Sequence, residues 1–175
     1  MNLSWVLLWQ SRVRKCRDWN RTAQGFATDL VDRALRKAGW EKVLVNIGEY
    51  YASGRQWLLG VSDPLHGLEE ATHLKDRAIA TSSPGVMRLR SGGAYIIDPM
   101  GENAPLWSTV SVQALDAATA GALSTAFCHA SETEIAAALA RAAGDCIAIC
   151  VRPNGKVVVL QSQKAPDHTE AFRVL

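Results

Sequence analysis

Cys146-Ile-Ala-Ile-Cys-Val-Arg152, Pro153-Asn154-Gly155 and Lys156-Val-Val-Val-Leu-Gln161 follow one another without interruption. Two runs of strand-forming residues on either side of a Pro-Asn-Gly turn predict an antiparallel hairpin. Immediately upstream, Ser131 and Glu134 have the capping-box spacing of a helix start, and Gly144 supplies a stop. Before that helix, Asp116 can cap an Ala-rich one running to about His129. Two helices feeding a hairpin break the regular strand and helix alternation of a parallel sheet. The fold class expected is therefore α+β, with mixed, largely antiparallel sheets, hairpins and inserted helices.

The chain before residue 116 has the same character. Residues 3–9 and 12–17 read as a strand pair, and 42–47, 57–61, 70–74, 78–80 and 107–115 as further strands. Residues 87–89 and 94–97 flank Ser91-Gly92-Gly93, a hairpin signal, and Asp63-Pro64 marks a turn. Between residues 17 and 42, Ala23, Phe26, Ala27, Leu30, Val31, Ala34, Leu35 and Ala38 recur at steps of three and four. That spacing predicts one apolar helical stripe facing the core, ended by Gly39. On the opposite face Asp29 with Arg33 and Asp32 with Arg36 form i, i+4 pairs, which account for those charges as a solvated surface. No internal repeat is present, and the expected organisation is a single domain over 1–162 with a polar tail over 163–175.

A chain of 175 residues with 48% hydrophobic and 21% charged residues has the composition of an ordinary soluble folded domain and excludes the disordered and fibrous classes. The net charge of +2 gives no reason to invoke nucleic acid, although residues 1–40 hold eight Lys/Arg against three Asp. The basic run Arg12, Arg14, Lys15, Arg17 alternates with Val13 and Cys16, as the solvated side of a strand would. No apolar run approaches the roughly 18 residues of a membrane span. Residues 5–9 are too short for a secretory core, so the sequence as written is expected in the cytoplasm, or in the periplasm if a signal precedes it. Cys16, Cys128, Cys146 and Cys150 form no C-x-x-C pair, and His66, His73, His129 and His168 have no metal spacing. Buried thiols are expected.

Six short motifs in order resemble the ApbE family, the FAD:protein FMN transferases. They are Asp18-Trp-Asn-Arg-Thr-Ala-Gln-Gly-Phe-Ala-Thr-Asp29, Val45-Asn46-Ile47-Gly48, Trp57 through Asp63-Pro64, Ala80-Thr81-Ser82, Ile96-Ile97-Asp98-Pro99 with Gly101, and Ala120-Gly-Ala-Leu-Ser-Thr125. The resemblance covers about residues 10–160 and corresponds to the later portion of the family domain. It implies an ApbE-like fold and an activity that cuts the pyrophosphate of FAD and joins FMN to a threonine or serine hydroxyl of a target protein, with Mg²⁺ near the phosphates. Such chemistry needs a hard cation, a phosphate cradle and a proton acceptor.

By the same resemblance, Asp18, Ala23, Gly25, Asn46, Gly48, Thr81 and Ser82 are expected to bind the cofactor. Asp98 and Tyr95 are expected at the catalytic position, and Ala23 and Thr125 at the metal. The chain departs from the pattern at several roles. Asn20 and Arg21 replace two glycines and Gln24 a lysine; Glu49 and Tyr50 follow Gly48; Ser83 takes a glycine's place. Tyr95 stands where the family has a histidine, and with a reference pKa near 10 it is a poor proton acceptor at neutral pH. Gly121 occupies the place of the Mg²⁺ aspartate, which weakens any metal site. Each also has a structural alternative: Asp98 as a strand-end turn, Thr125 bonding back to its own helix, and Asn46 and Gly48 as a turn.

Two functions follow as expectations. One is a catalytically degenerate ApbE-like subunit that binds flavin or engages a protein. The other is a weak Mg²⁺-dependent FMN transferase. A half-domain resemblance leaves apolar surface to cover, and Trp5, Trp9, Trp19 and Trp40 all fall within the first 40 residues, so a homo-oligomer or a partner chain is expected.

Overall fold

A computed structural model describes residues 19–86, 94–98, 104–142 and 144–162. The expected strands over 3–9, 12–17 and 87–89, together with Asp18, Cys16 and the tail after 162, lie outside the described residues.

The described chain runs α1 (Trp19–Lys37), β1 (Val43–Asn46), β2 (Tyr50–Ser53), β3 (Trp57–Asp63), β4 (Gly67–Leu74), β5 (Arg77–Ser82), β6 (Thr109–Ala114), α2 (Ala117–Ala126), a 3₁₀ turn (Phe127–His129), α3 (Glu132–Arg141), β7 (Ile147–Val151) and β8 (Val157–Gln161). Six strands form one sheet in the order β1-β2-β5-β6-β7-β8, every pairing antiparallel, while β3 and β4 form a separate hairpin. The α+β class expected from the hairpins is the class found. The hairpin over 146–161 forms with Val151 opposite Val157, and Gly155 takes a positive φ of 83° in its turn.

The sheet is covered on both faces, and β6 shows why. Val110, Val112 and Ala114 face α2 and α3, in a core shared with Ala78, Ala80, Phe127, Cys128, Ile135, Leu139, Cys146, Ala148 and Cys150. Truncating a fully buried member such as Leu139 to Ala costs about 2–5 kcal/mol in such cores. The alternate side chains Thr109, Ser111 and Gln113 are equally buried but face the β3–β4 hairpin. There a smaller apolar core of Ala52, Val61, Leu74, Ile79 and Ile149 completes the second interface.

Both helix starts follow their caps. Asp116 accepts from the amide of Thr119 at 2.7 Å, and Ser131 and Glu134 form the full capping box of α3. The Ala-rich helix gives way to the 3₁₀ turn at Phe127, and α3 stops at Arg141, ahead of Gly144. The expected strand over 94–97 does not form: Ala94 makes an isolated bridge, and residues 95 and 96 bend.

The main correction concerns α1. Its apolar stripe points outward, with Phe26 at 55% and Leu30 at 47% exposure, and Ala23 and Ala34 are exposed beside them. The buried side is Gly25, Thr28, Asp29 and Asp32. The reason is local chemistry. Asp29 accepts from the amides of Ala117 (2.8 Å) and Ala118 (3.2 Å), and Asp32 accepts from the Ser53 hydroxyl. Those bonds turn the carboxylates inward: the partners of Asp29 are helix-terminal amides, which suit an anion, and that of Asp32 is a buried hydroxyl. Asp32 keeps only a 3.9 Å approach to Arg36 from the expected pairing.

Gly25 makes the crossing possible. A Cβ there would lie 2.5 Å from the Ala117 carbonyl oxygen and 2.6 Å from the Ala118 Cα, and both are backbone atoms. Gly25→Ala is expected to lower stability by about 1–3 kcal/mol through overpacking, read as a lower denaturant midpoint at unchanged slope.

Candidate functional site

Strand register brings the expected residues to one end of the sheet. β1 finishes at Asn46, β2 begins at Tyr50 opposite Ile79, and β5 ends at Ser82 opposite Val110. The β1–β2 turn therefore lies beside the last residues of β5. Asn46 Oδ1 accepts from the Gly48 amide at 3.2 Å, so the asparagine is spent on its own turn, and Gly48 has a φ of +103°. Gln24 on α1 lies over this turn, its amide atoms 3.3–3.4 Å from where a Gly48 Cβ would sit. Glu49 is fully buried beside it.

Ser82 and Thr125 also meet. Their hydroxyls are 3.2 Å apart, Ser124 stands 3.0 Å from Ser82, and Ser124 in turn donates to the Gly121 carbonyl at 3.1 Å. Thr81 goes the other way. Successive residues of a strand face opposite sides, and the Thr81 hydroxyl is 2.7 Å from Ser111 on the hairpin side. Ala23 lies on the exposed side of α1, two residues before the buried Gly25.

Tyr95 is 44% exposed and Asp98 half-buried. Their segment is tied to the end of α2 by His129, whose Nε2 is 3.1 Å from the Ile96 carbonyl oxygen. His129 follows Thr125 by four residues, one helical turn, so Tyr95 and Asp98 are anchored near the same end of α2.

Four contributors escaped the sequence reading: Asp29, Asp63, Ser124 and His129. Asp63 was legible only as a turn residue, and it does accept from the amides of Leu65 (2.8 Å) and His66 (3.1 Å). It also accepts from the Thr109 hydroxyl at 2.7 Å, and Ser83 lies 2.8 Å from Thr109. Since Thr109 gives its one proton to Asp63, Ser83 must donate to Thr109. Burial works to raise the Asp63 pKa, but the hydroxyls of Ser108 and Thr109 and the two amides outweigh it and hold the carboxyl below its usual value. For Asp29 burial wins: its pKa is raised despite the two Ala117 and Ala118 amides.

A cleft of about 410 Å³, lined by Arg36, Gly39, Trp40, Glu41, Gly54 and Asp76, opens at the opposite end of α1. None of the expected site residues lines it. Among the described residues no cluster of three or more His, Cys, Asp or Glu could hold a metal. The donors that meet at Ser82 are neutral hydroxyls, a set that does not fit a hard divalent cation.

The sequence profile of the ApbE family matches residues 12–150. Among solved structures, the chain is similar to the apo flavinyl transferase ApbE of Pseudomonas stutzeri, at 25% identity and a TM-score of 0.63 over 83% of this chain and 49% of that one. It is also similar to the ApbE protein of Thermotoga maritima, at 28% identity and a TM-score of 0.66 over 79% of this chain and 49% of that one. The flavin transferase ApbE of Vibrio cholerae shares the fold, with a TM-score of 0.63 at 24% identity over 80% and 48% of the two chains. The chain thus spans about half the length of the solved structures it matches. No curated protein matches the sequence.

Asp63 sets an acid limit on the fold. Its folded pKa is depressed, so its contribution is complete above the unfolded value near pH 4 and is lost as pH falls through the lower folded value. Asp63→Asn is expected to cost about 1–3 kcal/mol at neutral pH and to flatten the decline of urea stability as pH falls below the unfolded value near 4.

Proposed function

This chain belongs to the ApbE family, and on that premise we propose that it is a flavin-nucleotide-binding and protein-interaction subunit without FMN-transfer turnover. One observation carries the reading. Gln24 over Gly48 and Ser82 with Ser124 and Thr125, which meet at the end of the sheet, are neutral, and the carboxylate of the same turn, Glu49, is buried. The Gln24 amide can donate to a flavin phosphate, and the hydroxyl oxygens can accept from a ribose. They supply neither the positive charge that stabilises a breaking pyrophosphate nor a base for the acceptor hydroxyl. Tyr95, the side chain at the expected proton-handling position, is an exposed phenol. Each such role is worth roughly 10²–10⁴ in rate, so losing several together removes useful turnover.

The alternative, a weak Mg²⁺-dependent FMN transferase acting on a threonine or serine of a target protein, draws support from the meeting of Ser82 with Thr125, which keeps part of the expected constellation together. The two readings separate cleanly. With FAD, Mg²⁺ and a threonine-bearing target protein, the chain is expected to release no FMN or AMP above the protein-free rate. Titration with FMN should quench flavin fluorescence. Release of AMP that scales with protein concentration would establish the alternative.

The interaction role is supported by α1. Asp29 and Asp32 are turned inward, which leaves Phe26, Leu30 and Ala34 with Arg33 and Lys37 on the outer surface. An apolar stripe of this kind marks a contact surface for a second copy or another protein. Replacing Phe26 and Leu30 together by Ser is expected to change unfolding free energy by less than about 0.5 kcal/mol each while abolishing association in light scattering. A large stability loss would assign the stripe to this chain's own core.

A further inference from the structure

We propose that Ser82, Ser124 and Thr125 bond to one another as neutral hydroxyls in place of a divalent-cation site beside α2, so that nucleotide binding by this chain needs no divalent metal. A single carboxylate introduced at position 121 would create a metal site there. The ligand's identity rests on the reading above; the metal half of the proposal does not.

The direction of the hydrogen bonds carries the inference. A hydroxyl has one proton. Ser124 gives its proton to the Gly121 carbonyl, so toward Ser82 it can only accept, and Ser82 donates across 3.0 Å. With the Ser82 proton committed, Thr125 is the donor across the 3.2 Å to Ser82. All three protons run one way, from Thr125 through Ser82 and Ser124 onto the backbone of α2. This run of hydroxyls ties β5 to α2 without an ion.

Charge points the same way. Affinity for hard divalent ions is set chiefly by the number of carboxylate ligands and by site rigidity. The carboxylates at the start of α2 are committed elsewhere, Asp29 to the amides of Ala117 and Ala118 and Asp116 to the amide and hydroxyl of Thr119, and Glu49 and Asp98 are each engaged as well. Position 121 is one turn from Thr125 on the same helical face, and it is a glycine. A carboxylate there would add the missing charge beside the Thr125 and Ser82 oxygens.

The test uses Mn²⁺ alone as the probe, followed by electron paramagnetic resonance. The wild-type chain is expected to bind it no more tightly than about 1 mM. Gly121→Asp should tighten binding at least about tenfold, and adding Thr125→Val should remove the gain. FMN affinity of the wild type should be the same in EDTA and in excess Mg²⁺. Wild-type Mn²⁺ binding well below about 0.1 mM that Thr125→Val abolishes would overturn the proposal, as would a folded Gly121→Asp chain with no gain. If circular dichroism shows that Gly121→Asp does not fold, Ser82→Asp places the carboxylate on the β5 side and is judged by the same gain; the wild-type measurement is decisive by itself. Absence of any FMN binding would defeat the flavin reading and leave the metal result standing.

Discussion

Asp29 reaches from α1 to the first turn of α2 and accepts the amides of Ala117 and Ala118, while Asp116 takes that of Thr119. A helix start leaves its first amides without intrahelical partners, and here two carboxylates satisfy three of them. Because one of the two belongs to a different helix, the cap is also a tertiary joint. It draws the helices together until Gly25 meets the backbone of α2, a distance that no side chain at 25 would permit. The joint sets the position of α2, and α2 carries Ser124 and Thr125 to Ser82. Burying a carboxylate is costly, and the raised pKa of Asp29 registers that cost.

On the other face of the sheet the same logic holds the hairpin. Asp63, Thr109 and Ser83 form a directed chain, and Gln113 donates to Thr72 at 2.5 Å. Apolar burial between hairpin and sheet is limited to a few residues, so orientation there comes from hydrogen bonds with defined geometry. A polar layer of this kind specifies one docking angle where a greasy contact would allow several, provided each member is satisfied.

Local signals in the sequence were sufficient for the class of fold. Capping residues at Asp116 and Ser131, the turn at residues 153–155 and the strand-forming runs on either side of it act over a few residues, and each appears where the pattern places it. The failures share one cause. Periodicity says which residues share a helical face but not which face turns inward, and for α1 the decision lay with amides 88 and 89 residues away. Thr81 and Ser82 were grouped by motif, whereas a strand must send them to opposite sides. Ser124 and His129 looked like ordinary helix-end residues, and their contacts to Ser82 and Ile96 arise only once the chain has folded back.

Cys128, Cys146 and Cys150 all lie on the helix-facing side of the sheet, without access to solvent. Burial raises the Cys146 thiol and pushes that of Cys150 up to about 12, so at neutral pH the reactive thiolate form of these two is scarce. Alkylating reagents and oxidants therefore meet these sulfurs only when the two layers part. The protein carries, inside its main core, a set of silent chemical tags that become readable at the moment of global opening.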